Sequence, residues 1–232
     1  MSLNTICTNA LRELSGFEIP SSFYDNTNLT ARSCVALVSR EMKTLERMYR
    51  WSQLITTHTF TTTDGTATYA MPTDFRAFSN LSQWDRTNSR ALVGPASGGE
   101  WQWLKGDVTA GATIDRWFRI EGSNLVIHPT PDVTGDTIAF DYYSKSTVIK
   151  QVDSSYVVEW TSDNDTSRLD EELLTVGLKW RFLQAKGLPY EPEYKEAEAL
   201  IEESRADSGG SRIISLGPRP VMSNLPDRGF GL

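Results

Sequence analysis

Histidine and cysteine are scarce in this chain of 232 residues, with two of each, and that scarcity excludes a good deal. His58 lies in a threonine-rich stretch and His128 stands directly before Pro129. Neither has a second His or a Cys at metal-ligand spacing, and no H-E-x-x-H occurs, so zinc chemistry has no motif to rest on. Cys7 and Cys34 both fall on apolar spacing within helical patterns. Two such thiols make no disulfide framework, and with no signal peptide the expected place of synthesis is a reducing intracellular compartment. Apolar runs are all too short to span a bilayer, so no membrane partner is expected. Basic residues are outnumbered, 23 Lys and Arg against 30 Asp and Glu for a net charge of −7. That balance argues against a duplex-binding surface built on phosphate neutralisation.

Catalytic signatures are missing too. Ser123 follows Gly122, but no G-x-S-x-G elbow surrounds it. The glycine-rich segment 94–99 lacks the Lys-Ser/Thr of a phosphate loop. Asp163-Asn-Asp165-Thr-Ser167 resembles the opening of a calcium loop, yet it has no glycine at the sixth position, and Leu174 stands where the bidentate glutamate belongs. Helix capping is the expected role of that segment. The sequence therefore reads as a non-enzyme with no cofactor and no metal. Two alternatives stay open: a polysaccharide hydrolase, which needs only two carboxylates among the 30 acids, and a carbohydrate-binding protein whose aromatics stack on sugars.

What is plentiful is periodicity. From Asp170 to Lys186, Leu169, Leu173, Val176, Trp180 and Leu183 repeat at spacings of three and four, and Leu174, Leu178, Phe182 and Ala185 form a second stripe. Such a helix is covered on most sides. Ser167 with Asp170 three residues on is its expected cap, and Lys186-Gly187 followed by Pro189 its stop. A second helix is predicted from near Pro192 to about Ala206, with a thin apolar side of Tyr194, Ala197, Leu200 and Ile201, lying on the surface of the first. At the other end, residues 1–16 read as a short helix capped by Asn4 or Thr5, with Ile6, Ala10, Leu11 and Leu14 on one face. A long helix is predicted from Leu29 to Arg50. Cys34, Leu37, Val38, Met42, Leu45 and Tyr49 share its inner face, and Arg32, Arg40, Lys43, Glu46, Arg47 and Arg50 lie mostly on the other.

After Trp51 the pattern turns to threonines, aromatics and short alternations, the mark of β structure. Strands are predicted over 53–62 and 67–70, joined as a hairpin by Thr63-Asp64-Gly65-Thr66, with a helical turn over 71–75. Further strands are predicted over 78–85, 91–93, 101–104 and 156–160. Residues 118–120 and 125–128 read as a hairpin around Glu121-Gly-Ser-Asn124, and Ile138, Phe140 and Tyr142 as one buried strand face. The fold class is thus α+β: a helical domain from residues 1–50 and 165–207, an inserted antiparallel β-sandwich or barrel over 51–164, and an extended C-terminal arm over 208–232.

That arm has three prolines and five glycines from Gly209 onward, and three arginines against one aspartate. It also keeps Ile213, Ile214, Leu216, Val221, Met222, Leu225, Phe230 and Leu232, more large apolar residues than a solvated tail carries. It reads as an arm that orders on a partner. Seven tryptophans supply large anchors for a core or for contacts between subunits.

Several of these segments in this order resemble the head-to-tail adaptor proteins of tailed bacteriophages, of the tail tubular protein A type. They are Tyr49-Arg-Trp51, Tyr69-Ala-Met-Pro72-Thr-Asp-Phe75-Arg, the run from Phe118 to Pro131, Thr137 to Tyr143, and Asp170 to Arg181 with Lys186 to Tyr190. The resemblance implies a structural virion protein of the neck, between portal and tail, made in the cytoplasm of a host bacterium. It implies a homo-oligomeric twelve-fold ring that binds the portal protein on one face and a tail or nozzle protein on the other. DNA would pass through the channel without sequence-specific binding. Arg212, Ile213, Ile214, Leu216, Pro218, Arg219, Pro220, Val221, Leu225, Phe230 and Leu232 are the expected portal-binding residues. Leu37, Leu45, Tyr49, Leu173, Trp180, Leu183 and Tyr194 are the residues expected in the helical core and in subunit packing. Cell-wall hydrolysis has been credited to some related adaptors, which keeps that alternative in view.

Overall fold

The computed structural model describes residues 2–14, 16–79, 82–106 and 115–209. The chain opens with α1 (Leu3–Glu13) and α2 (Leu29–Met48), followed by five short strands, β1 (Ile55–Thr61), β2 (Thr68–Ala70), β3 (Phe75–Phe78), β4 (Trp84–Asp85) and β5 (Arg90–Ala91). Next come α3 (Gly98–Gly106), β6 (Trp117–Glu121), β7 (Asn124–His128), β8 (Thr137–Ser144), β9 (Val148–Ile149), β10 (Tyr156–Val157) and β11 (Thr166–Ser167). Two helices close the described chain, α4 (Glu171–Lys186) and α5 (Glu191–Gly209). The fold is α+β and, among the described residues, forms two units, one joining those up to Ile55 to 143–209, the other Thr56–Tyr142.

In the helical unit α4 is the centre, with α1, α2 and α5 all packed against it. Ten of its sixteen residues are buried, which is why its sequence shows two apolar stripes rather than one. Leu174, Leu178 and Phe182 meet Leu3, Ile6 and Leu11 of α1 and Cys34, Val38, Met42 and Leu45 of α2 in one core. Asp170, not Ser167, caps α4: its carboxylate accepts from the Glu172 N–H at 2.8 Å, while Ser167 accepts from Leu169 before the helix begins. Gly187 ends the helix in the left-handed region, φ 71°, and the Leu188 N–H turns back to the Leu183 carbonyl at 3.0 Å. Ser2 caps α1 rather than Asn4 or Thr5, and Asn28 caps α2. Glu46, expected on the outer face of α2, is instead buried. The small β10-β9-β11 sheet also belongs to this unit and puts Val148 into its core.

The β unit holds two antiparallel sheets, β1-β8-β4-β5 with β3 also on β8, and β2-β7-β6. One core joins them: Ile138, Phe140, Phe75 and Phe78 from the first with Phe118, Leu125 and Ile127 from the second, the arrangement of a β-sandwich. The β6–β7 hairpin has the register read from sequence, Glu121 opposite Asn124 across Gly122-Ser123 with Gly122 at φ 59°. Three expectations fail. The Asp64-Gly65 turn forms, with the Thr66 N–H on the Thr63 carbonyl at 3.0 Å, but it makes no hairpin, because β1 pairs with β8 and β2 with β7. It is a corner where the chain changes sheets. Residues 101–104 are helical, not extended: α3 opens with a capping box in which the Ser97 N–H donates to Glu100 at 2.7 Å and the Glu100 N–H to Ser97 at 3.3 Å. Trp101 and Leu104, three apart, then share its buried face. The strands expected over 78–85 and 156–160 shrink to β4 and β10, two residues each.

Candidate functional site

The loop that resembles a calcium site is a structural knot. Asp165 is almost wholly buried and accepts from five donors: the N–H and hydroxyl of Thr161 (2.6 and 2.8 Å), those of Ser162 (2.9 and 2.8 Å) and the N–H of Gln151 (3.1 Å). Burial alone would raise its pKa, but the donors from Thr161, Ser162 and Gln151 outweigh it and hold the carboxyl down at about 2. Asp163 accepts from the Phe23 and Tyr24 N–H groups at 3.0 and 2.8 Å, and the carbonyls of Asp163 and Asp165 receive the Asn4 and Leu3 N–H groups. The two side chains therefore cap no helix. They and their carbonyls tie the start of α1 and the loop after it to the segment before α4.

The histidines also serve structure. His58 lies 5.3 Å from the Phe140 ring and 6.0 Å from Phe60; burial lowers its pKa, with Asp74 opposing. His128 packs edge-on to Trp101 at 6.0 Å.

The features with reach beyond the chain itself lie on the helical unit. Trp180, half-buried on α4, meets Tyr194 edge-on at 5.2 Å and Tyr190 at 6.3 Å, with the Arg181 guanidinium 4.4 Å from its ring. Tyr194 remains 40% exposed, so this aromatic group joins core to surface. Leu37 and Tyr49 are half-buried at the core margin, and Tyr49 stands edge-on to Trp51 at 5.5 Å. Leu45, Leu173 and Leu183 are buried within their own chain. Of the residues expected in the helical core and in subunit packing, then, Leu37, Tyr49, Trp180 and Tyr194 reach the surface. The arm residues Arg212, Ile213, Ile214, Leu216, Pro218, Arg219, Pro220, Val221, Leu225, Phe230 and Leu232 lie outside the described residues.

Charge is sorted across the unit. Arg32, Arg40, Lys43 and Arg47 are the exposed charges of α2, and its two acids are buried: Glu46, and Glu41, which pairs with Arg181 inside the protein. Arg40, Lys43 and Arg47 line a shallow groove with Ala36, Ser39, Thr44 and Met48. The Glu41–Arg181 pair was not anticipated from sequence, yet its signal was present. Glu41 stands three residues after Val38 and four before Leu45, on the inner face of α2, where a charge requires a partner.

The model of the SU10 adaptor protein family matches residues 1–216, across both units. The chain belongs to that family. The SU10 adaptor proteins are head-to-tail adaptors of phages, so this adaptor is a structural component of the phage particle. No curated protein matches the chain. Among the described residues no helix is long and apolar enough to cross a membrane.

Proposed function

We propose that this adaptor assembles as a ring, of twelve subunits by analogy with the tail tubular protein A type. In this reading it docks beneath the portal protein through its C-terminal arm, and its other face receives a tail or nozzle protein in the virion neck. The division of labour follows the domains read from sequence. Residues 1–50 and 165–207 supply lateral packing, 51–164 the β domain, and 208–232 the portal contact. The observation that carries this is the family match over 1–216, which takes in both units and the first part of the arm. The composition of the arm supports the docking role: apolar residues spaced by Gly and Pro give an extended segment with anchors for a preformed groove. The acidity of the chain suits a channel through which DNA passes without adhering, because fixed negative charge repels phosphate.

Light scattering of the purified chain, alone and with its cognate portal, tests the reading. Full-length protein should form a large complex with the portal. A chain ending at Gly209 should keep its fold and lose the complex. Failure of the full-length chain to associate at micromolar concentration would overturn the proposal.

A further inference from the structure

All four exposed charges on α2 are positive, on a chain whose net charge is −7. The exposed side of α5 is the opposite: Glu191, Glu196, Glu198, Glu202 and Glu203 stand against Lys195 and Arg205. Within the protomer Lys43 pairs with Glu159 at 3.1 Å and Glu202 with Arg205 at 3.2 Å, and all four side chains remain more than half exposed. Ala31, Cys34, Val38 and Met42 turn one side of α2 to the core, and Arg40, Lys43 and Arg47 lie on the opposite side by helical spacing. Ala197, Leu200 and Ile201 likewise turn one side of α5 inward, towards α4, leaving the glutamates outside.

We propose that the basic face of α2 in one subunit docks on the acidic face of α5 in the next copy of the chain. Two different, complementary patches on one protomer make a head-to-tail contact that repeats with every added subunit and closes as a ring. Charge supplies register and discrimination, since either face set against its own kind is repelled. Exposed Met48 (57%) beside Arg47, and Ala36 in the groove, give the α2 side apolar area to bury at the contact. This inference rests on the ring reading above and assigns it a lateral contact. A nucleic-acid strand is the other polyanion that α2 would accept. A second copy is favoured because the chain itself carries the matching acidic face.

The test uses two full-length variants, each altered only at exposed positions. One carries Arg40→Glu with Lys43→Glu, the other Glu198→Lys with Glu203→Lys. Each should keep the circular dichroism spectrum of the unmodified chain and form no ring on the cognate portal. An equimolar mixture should recover rings, since reversed α2 meets reversed α5 at one contact and the native pair forms at the next, so that the two variants alternate. Rings formed by either variant alone, or a mixture of folded variants that recovers none, would overturn the pairing. Intact rings with reduced crosslinking of DNA to α2 would overturn it in favour of a nucleic-acid contact. If the unmodified chain makes no ring on the portal, the ring reading falls and this contact falls with it.

Discussion

Glu41 on α2 occupies the space that a side chain on Gly177 of α4 would fill. A Cβ at Gly177 would lie 2.6 Å from the Glu41 Cγ and 2.9 Å from its carboxyl carbon. Glu41 cannot swing away, because it is 3% exposed and held by the Arg181 guanidinium. Gly177 is therefore a packing glycine in a helix that otherwise has little reason to contain one.

Gly177→Ala should consequently destabilise the adaptor although it improves helix propensity. Alanine gains about 1 kcal/mol over glycine in a helix interior. Overpacking typically costs about 1–3 kcal/mol, and displacing a buried ion pair adds to that. A net loss of about 2 kcal/mol is expected in urea denaturation, and a gain in stability would contradict the packing described.

The ion pair can be dissected in the same assay. Glu41→Ala leaves Arg181 buried without its carboxylate and should cost about 3–5 kcal/mol. The Thr44 hydroxyl, 3.2 Å from the guanidinium, is a poor substitute for a charge. Glu41→Leu with Arg181→Met should recover most of that loss. Equal damage from the double variant and from Glu41→Ala would show that the pair is not what the site depends on.

Asp165 predicts the response to acid. Its folded pKa of about 2 lies below the ordinary aspartate value, so the folded state holds the ionised form more tightly than the unfolded chain does. The resulting stability is complete above about pH 4 and is lost as pH falls towards 2. The amount is about 2 kcal/mol. Denaturation midpoints between pH 5 and pH 2 should drop for the unmodified chain. Asp165→Asn should be weaker at neutral pH and show a flatter drop.

The thiols should be inert. Burial pushes Cys34 up to about 12, with Lys186 opposing, and also raises Cys7 well above the ordinary thiol value, aided by Cys34 and Asp163. Reactivity follows the thiolate. A maleimide at pH 7.5 should therefore label neither residue in the folded chain within minutes, and both in denaturant. Rapid labelling of the native protein would mean that the α1–α2 core opens readily.

Much of the architecture was legible because it is local. The α4 stop at Gly187 and the β6–β7 hairpin each depend on a few adjacent residues whose backbone preferences agree with the final structure. The Asp64-Gly65 turn was equally legible as a turn. Its partners were not, since β8 and β7 claim the flanking strands from more than fifty residues away. The helix α3 was missed because tryptophans favour strands, although Ser97 and Glu100 announced a capping box. Among the candidate site residues, apolar spacing identified those that fill the core, such as Leu45 and Leu173. It could not rank Leu37, Tyr49, Trp180 and Tyr194 as surface-reaching. The charge sorting between α2 and α5 emerges only once burial has removed Glu41 and Glu46 from the outer face.

Because α4 stands at the centre of the helical unit, synthesis order imposes a wait. When α2 has left the ribosome its inner face, with Cys34, Val38, Met42 and Leu45, has only α1 to pack against until α4 is made. The intervening chain, from Tyr49 to Asp170, takes on the order of ten seconds to translate at typical bacterial rates. The β unit lies wholly within that interval and can fold first. The expected nascent form is thus a folded sandwich carrying an unfinished helical pair, with apolar surface of the kind that chaperones cover.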